Sequence, residues 1–178
     1  AQVNDQVVSV IFSGRPLELR EVSQYSRAVL EVWMPGTEGG HGIVDVLTGV
    51  YNPSGKLPMS FPYTVGQEPM SYSAYSTGRP KPEGMRGDYT TRYLDAPNEP
   101  LYPFGYGLSY TTFSISKPVL SSSSMTADGS ITAAVTVKNT GDWEGTETLQ
   151  LYLRDVTASC IRPVKELKGF CQVTLQPG

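Results

Sequence analysis

The stretch from Asn98 to Phe113, NEPLYPFGYGLSYTTF, constrains the fold more than any other part of the sequence. Pro100 and Pro103 fix φ and lack a backbone N–H, so neither a regular helix nor a central strand runs through it. Gly105 permits backbone conformations and close approaches that a Cβ would block. A solvated linker would not carry its large side chains, which are Leu101, Tyr102, Phe104, Tyr106, Leu108, Tyr110 and Phe113. We therefore predict an irregular, packed joint over residues 98–112, between two parts of different character.

Charge and composition narrow the function classes. The 178 residues are 17% charged with a net charge of −3, so no basic patch is expected and nucleic acid is not a predicted partner. The longest apolar run, Val7–Phe12, is far shorter than the roughly 20 residues that span a bilayer, so no membrane partner is predicted either. His41 lies far in sequence from Cys160 and Cys171, and neither a metal site nor another cofactor is predicted. Free thiols in a reducing, cytoplasmic setting are favoured, with a disulfide between the two cysteines left open.

Residues 1–97 have an α/β pattern. Val7–Phe12 is a near-continuous apolar run, typical of a strand buried on both faces, and residues 28–33 predict a second strand. A short helix or turn is expected between them, over residues 17–24. Thr37 and Gly49 are placed as the N-cap and the C′ residue of a helix. Its expected buried stripe consists of Ile43, Val44, Val46 and Leu47.

The last third of this part has loop character. Residues 66–97 are rich in Tyr, Gly, Pro and Ser and show no sustained hydrophobic period. A loop of this length is usually functional or draped over a surface. Its four tyrosines, Tyr72, Tyr75, Tyr89 and Tyr93, favour draping over disorder.

The pattern changes to all-β after Phe113. Apolar residues alternate with polar ones over residues 131–137 and 149–153, and Asn139–Asp142 is a turn signal. Gly169 is a candidate bulge in a later strand. About four strands fit into residues 113–178, whereas an immunoglobulin-like sandwich needs about seven. The predicted fold class is therefore α/β followed by all-β, with a partial α/β layer joined to an incomplete β-sandwich.

Few residues of the sequence are candidates for a catalytic role. Glycoside hydrolysis needs two carboxyl groups flanking the scissile bond, and the candidates are Glu31, Glu38, Asp45, Asp88, Asp95 and Glu99. Their spacing marks none as catalytic. His41 is expected to face solvent at the start of the helix. The glycines before that helix match neither GxGxxG nor a phosphate loop and predict close packing.

Several blocks of the sequence resemble glycoside hydrolase family 3. Besides the joint, they are SGRPLEL (13–19), VWMPGTEGGHGIVDVLTGVYNPSGKLPMSFP (32–62), VGQEPMSY (65–72), VKNTGDWEGTETLQLYLRD (137–155) and RPVKELKGF (162–170). They follow the family's order and cover nearly the whole chain. The resemblance implies the end of the family's α/β sandwich domain followed by part of its fibronectin type III-like domain.

The resemblance also implies an activity. Its members are retaining, exo-acting enzymes, mostly β-glucosidases and β-xylosidases, with a nucleophilic aspartate in an N-terminal barrel. The acid/base glutamate usually precedes the block matched here by Gly14–Pro16. The resemblance therefore implies a portion without catalytic residues, which supports the pocket for a β-linked oligosaccharide or aryl glycoside. Substrate-binding residues stay unassigned, although residues 66–97 are candidates for approaching the pocket.

Two other functions are compatible with the sequence, and its uncovered apolar faces lead to an expectation about association. A carbohydrate-binding or adhesion module would need the four tyrosines exposed and clustered, and a purely structural spacer would need no site. A partial α/β layer and four sandwich strands leave apolar faces and strand edges open. We therefore expect self-association that covers Val7–Phe12 and Leu149–Leu153.

Overall fold

The computed structural model describes residues 3–80 and 89–178 of the chain. It shows strands and helices that are short and joined by long irregular segments. In chain order they are β1 (Val8–Ile11), α1 (Arg20–Tyr25), β2 (Ala28–Glu31), α2 (Gly39–Thr48), a 3-10 turn (Val65–Gln67), β3 (Phe113–Ile115), β4 (Val119–Leu120), β5 (Ala133–Ala134), β6 (Val137–Asn139), β7 (Gly145–Leu153) and β8 (Glu166–Leu175).

The first part begins with a β–α–β unit. β1 and β2 pair in parallel, from Val8 opposite Ala28 to Ile11 opposite Glu31, and α1 connects them. The prediction that the first strand is buried on both faces is wrong for this chain. Val8 is 49% exposed and Phe12 61% exposed, because β1 and β2 are the whole sheet within residues 3–80 and 89–178.

Helix α2 ends as predicted and begins differently. Gly49 follows it in the left-handed conformation, with φ +78°, as expected of a C-terminal glycine. The predicted N-cap at Thr37 is wrong, because the helix begins at Gly39 after Glu38 and has no side-chain cap. A backbone turn replaces the cap: the Gly39 N–H donates to the Gly36 carbonyl, and Gly36 has φ +73°.

The expected apolar stripe of α2 is only partly covered. Ile43 and Val46 are half-buried and line a shallow groove against Leu30 and Val32 of the β2 region. Val44 and Leu47, by contrast, are about half exposed. The helix therefore packs with one edge of its apolar stripe, and the expectation of a fully buried stripe is wrong.

The second part consists of antiparallel pairs. β3 pairs with β6 and β4 with β5, so residues 113–120 and 133–139 form one interrupted ribbon, and β7 pairs with β8. The predicted turn at 139–142 separates β6 from β7. Between Leu151 and Tyr152 the β7–β8 register jumps from Gly169 to Leu167, which confirms the predicted bulge.

β7 turns its polar face toward the rest of the chain. Gln150 and Tyr152 are half-buried, whereas Leu151 and Leu153 are 49% and 54% exposed. The alternation of leucines thus predicts the strand correctly, but these two leucines lie on the open face. Contacts with the joint, described next, explain this orientation.

The joint pairs with an extended segment of the first part. The Phe61 N–H donates to the Tyr102 carbonyl at 2.8 Å, and the Leu101 N–H donates back to the Phe61 carbonyl at 2.9 Å. The Leu57 N–H donates to the Tyr106 carbonyl at 2.8 Å, and the Gly105 N–H donates to the Leu57 carbonyl at 2.7 Å. Phe61 is 1% exposed and lies at the centre of the small core.

The joint is packed along most of its length. Leu101, Tyr102 and Phe104 are half-buried, as expected, whereas Leu108 is 71% exposed and Tyr110 49% exposed. The expectation of a continuously buried surface therefore fails after Gly107. The limits 1–97, 98–112 and 113–178 stay predictions.

Gly105 lies where β7 crosses the joint. Its φ is +80°, and its carbonyl accepts a hydrogen bond of 2.9 Å from Gln150 Nε2. A Cβ at this position would collide with Gln150 Oε1 and lie 2.9 Å from the Tyr152 hydroxyl. The positive φ favours glycine here, and an added Cβ would force the ends of the Gln150 and Tyr152 side chains to move.

Asn139 fixes the start of the second part. It is 1% exposed, and its Oδ1 accepts hydrogen bonds from Thr111 Oγ1 at 2.7 Å and from the Gly141 N–H at 3.1 Å. Its Nδ2 donates to the carbonyls of Trp143 and Leu175 at 2.7 and 2.9 Å. One side chain thus joins the end of the joint, the β6–β7 turn and the end of β8.

Replacing Asn139 by alanine should lower the free energy of unfolding by about 3 kcal/mol, because its buried partners lose their hydrogen bonds. Asn98→Ala is the matched control, since Asn98 also bonds through both amide atoms, to Tyr93 and Thr91, but is exposed. Its cost should stay below about 1 kcal/mol. Equal losses in urea unfolding would contradict the role given to Asn139.

The same substitution at two glycines should change stability in opposite directions. Gly105→Ala should destabilise the chain by about 2 kcal/mol or more, through a strained φ and overlap with Gln150. Gly42→Ala should stabilise it by roughly 0.5 kcal/mol, since Gly42 is helical and an added Cβ meets nothing within 4 Å. Thermal and urea unfolding of both variants measure this, and a neutral Gly105→Ala would show that the close contact is not needed.

Candidate functional site

Glu31 is a candidate carboxylate with a clear structural position. It is the last residue of β2, and its Oε1 accepts hydrogen bonds from Ser13 Oγ at 3.1 Å and from the Trp33 N–H at 2.9 Å. Its Oε2 is buried and has no partner within the described residues. Glu31 therefore ties together the segments that follow β1 and β2.

Trp33 is held in an unusual backbone conformation at this point. Its φ is +51°, a region that bulky residues rarely adopt. The hydrogen bond from its N–H to Glu31 and the contact of its ring with Phe61, at 5.7 Å between centroids, hold it there. Glu31 thus supports the backbone at the carboxyl end of the parallel strands.

The other candidate carboxylates lie on the surface. Glu38 and Asp45 are exposed at the start and along the side of α2, and Asp95 and Glu99 are exposed near the joint. Asp88 lies outside the described residues. His41 is exposed at the start of α2, as expected.

The groove between β2 and α2 does not bring two candidate carboxylates together. Glu38 is the one candidate carboxylate in its lining, which otherwise consists mainly of apolar side chains and glycines, and its volume is about 310 Å³. This groove is therefore not a site for two-carboxylate chemistry.

The tyrosines of residues 66–97 have different environments. Tyr72 is half-buried and stacks on Phe104, with 4.0 Å between ring centroids and 12° between ring planes. Tyr75, Tyr89 and Tyr93 are 60%, 89% and 40% exposed. Tyr72 therefore packs as draping predicts, whereas the side chains of Tyr75, Tyr89 and Tyr93 are largely open to solvent.

Tyr152 completes an aromatic cluster with Tyr72 and Phe104. Its ring meets theirs edge-on, with centroid distances of 6.1 and 6.5 Å, and its hydroxyl donates to Gln150 Oε1 at 2.5 Å. Burial raises the pKa of the Tyr152 phenol above its usual value, and the nearby Tyr72 adds to the shift. The cluster joins residues 66–97, the joint and β7.

Polar contacts tie β7 to the first part as well. Lys56 Nζ lies 2.9 Å from Glu147 Oε1 and donates to the Gly107 carbonyl at 2.8 Å, and both charged side chains are 16% exposed. Asn52 Oδ1 accepts from the Tyr110 N–H at 2.8 Å, while its Nδ2 donates to the Glu144 carbonyl at 2.8 Å. Side chains of one part therefore satisfy backbone groups of the other.

Gln67 ties the segment around Thr64 to the start of the joint. It is 3% exposed, and its Oε1 accepts from the N–H groups of Tyr63 and Thr64 at 2.6 and 3.2 Å. Its Nε2 donates to the carbonyls of Pro97 and Glu99 at 2.8 and 3.2 Å. Sequence reasoning did not identify Gln67, Asn52 or Lys56, although each is next to a proline or glycine in the sequence, which is the available signal.

The described residues were also compared with the requirements of a metal site, a membrane span and a disulfide. Within them, His, Cys, Asp and Glu side chains nowhere gather in a group of three or more that could hold a metal ion. Over the same residues, every helix is too short or too polar to cross a membrane. Cys160 and Cys171 are exposed and not joined by a disulfide.

Comparison with family models identifies both parts of the chain. Residues 1–110 match the glycosyl hydrolase family 3 C-terminal domain, and residues 147–178 match a fibronectin type III-like domain. Among curated proteins, a periplasmic beta-glucosidase of Salmonella typhimurium is 58% identical over 97% of this chain and 22% of its own length. A beta-xylosidase of Formosa agariphila is 43% identical over 97% of this chain and 23% of its own length.

Solved structures give the same result. The beta-glucosidase of Listeria innocua, crystallised in complex with isofagomine, superposes with a TM-score of 0.94 at 50% identity. The match covers 99% of this chain and 25% of that one. The chain thus spans about a fifth to a quarter of the length of these relatives. By its sequence and its fold, it belongs to glycoside hydrolase family 3.

Proposed function

We propose that the chain is the pocket-supporting portion of a retaining, exo-acting β-glycosidase and supplies neither the nucleophile nor the acid/base. The observation that carries this is the position of the candidate carboxylates. Glu31 is bound to Ser13 and the Trp33 backbone, and Glu38, Asp45, Asp95 and Glu99 lie exposed. Two carboxyl groups about 5–5.5 Å apart, as retention requires, would then come from elsewhere in the enzyme.

The proposed substrate class follows from the relatives. One is described as a beta-glucosidase and another as a beta-xylosidase, and the Listeria enzyme was also crystallised with glucose. We extend this to terminal β-D-glucosyl or xylosyl residues of an oligosaccharide or aryl glycoside. Residues 66–97 are our candidates for the side of this chain that approaches the sugar.

The isolated chain should not hydrolyse aryl β-glucosides or β-xylosides above the buffer background. Enzymes of this kind ordinarily turn over at about 1–10³ per second, so activity would be easy to detect. Turnover in that range would overturn the proposal. Glu31→Gln and Glu99→Gln would then show whether a carboxylate of this chain is responsible.

A carbohydrate-binding module is the second candidate. The exposure of Tyr75, Tyr89 and Tyr93 favours it, and the burial of Tyr72 against Phe104 weighs against it. Saturable binding of oligosaccharides that is lost on replacing the exposed tyrosines, in a chain without hydrolytic activity, would select this alternative.

We also propose that the chain self-associates through its open apolar surfaces. Val8 and Phe12 are exposed on and beside β1, and Leu151 and Leu153 are exposed on β7. Sedimentation velocity should show dimers or larger species that increase with concentration. Leu151→Lys should reduce them, and Leu47→Lys, on the exposed side of α2, is the control for added charge. A compact monomer at every concentration would contradict this proposal.

A further inference from the structure

The connection between β7 and β8 contacts the segment 71–76. The Val164 N–H donates to the Ala74 carbonyl at 2.9 Å, and Tyr75 and Pro163 form an isolated antiparallel bridge. Three residues further on, the Leu167 N–H donates to the Tyr72 hydroxyl at 3.4 Å. Two irregular segments, about 90 residues apart in the chain, therefore run side by side.

Aromatic packing reinforces this contact. Strands β7 and β8 and the connection between them form a hairpin, residues 145–175. Tyr72 lies between the joint and this hairpin, with its ring stacked on Phe104 and its edge toward Tyr152. On the hairpin side, the Lys165 ammonium lies 5.3 Å from the centre of the Tyr152 ring. Offset-stacked and edge-on aromatic pairs stabilise a contact beyond the apolar area they bury.

The segment 71–76 has little structure of its own. Its backbone N–H groups make two local hydrogen bonds, from Ala74 to the Ser71 carbonyl and from Ser73 to Ser71 Oγ, both at 3.3 Å, and the hydroxyls of Ser71 and Ser73 are hydrogen-bonded at 3.2 Å. The two backbone bonds are long for hydrogen bonds from N–H groups. Interactions within the segment are therefore weak, and its course depends on the stack of Tyr72 on Phe104 of the joint and on the contacts with the hairpin.

We propose that the β7–β8 hairpin positions the segment 71–76, with Tyr72 as the positioning residue and the Val164 N–H as the backbone anchor. The fibronectin-like part then determines the position of the exposed Tyr75 of the first part. This goes beyond the proposed function, because it assigns to the hairpin the placement of a loop that is our candidate for approaching the sugar. Its test needs neither sugar nor turnover, so its failure and that of the glycosidase proposal can be told apart.

Hydrogen–deuterium exchange of the whole chain tests the backbone anchor. Val164→Pro removes the N–H that bonds to Ala74, and we expect exchange over residues 71–76 to become about tenfold faster. Amides of the joint, at Leu101 and Gly105, should keep their parent rates. Val156→Pro is the matched control, because Val156 lies in the same connection, is 80% exposed and donates no backbone hydrogen bond to a described residue. It should leave residues 71–76 unchanged.

Two substitutions of Tyr72 test the ring separately and keep the proposal falsifiable if Val164→Pro does not fold. Tyr72→Phe keeps the stack on Phe104 and should exchange like the parent chain over residues 71–76. Tyr72→Leu removes the stack and should accelerate exchange there without changing the joint amides. The proposal is overturned if residues 71–76 exchange at the parent rate in both Val164→Pro and Tyr72→Leu. It is equally overturned if the joint amides accelerate to the same extent, which would show a general loss of stability.

Discussion

Backbone polar groups in a segment that can form neither helix nor central strand still need partners when they are buried. In this chain that requirement falls on the joint, whose prolines and glycines exclude regular pairing. Partners for its backbone include the extended segment 57–61, the side-chain amides of Gln67, Asn52 and Gln150, and the side chains of Lys56 and Ser60. Each amide offers both donors and an acceptor, which suits irregular backbone in which N–H and C=O groups do not alternate regularly. The rest of the structure depends on these contacts, because they bring β7 and residues 66–72 onto the same joint.

This arrangement explains how a chain with small sheets can hold its parts together. β1 and β2 form a sheet of two strands, and so do β7 and β8. Such sheets are marginal alone, and packing against another element is what stabilises them. Phe61, Asn139 and Gln67 are almost completely buried, and they lie at or beside the joint rather than within either sheet. In the glycosidase that we propose, a rigid joint would keep the fibronectin-like part in register with the part that faces the sugar.

Some of this could be predicted from the sequence, and the reasons are local. Gly49 ends α2 because glycine readily adopts the left-handed conformation found there, and the bulge lies next to Gly169 as predicted. Burial was harder to predict, since it depends on what covers a face. The leucines of β7 alternate as an inward face should, yet Leu151 and Leu153 are open while Gln150 meets the joint. The N-cap was wrong because a backbone turn at Gly36 took the place that a Thr37 side chain could have filled.

The contacts of the candidate site residues were equally hard to predict from the sequence. Residue types alone could not show that Glu31 holds the Trp33 backbone or that Tyr72 differs from the other tyrosines. Those facts depend on contacts between residues distant in sequence, such as Tyr72 with Tyr152.

The central claim is that the joint makes both parts one cooperative unit, and the two tryptophans test it directly, since Trp33 lies in the first part and Trp143 in the second. Urea unfolding followed by the indole N–H signals of both residues in ¹H–¹⁵N spectra should give coincident midpoints. Gln150→Ala should lower both midpoints together. A Trp143 signal that keeps its native position after the native Trp33 signal has gone, or the reverse, would contradict the account.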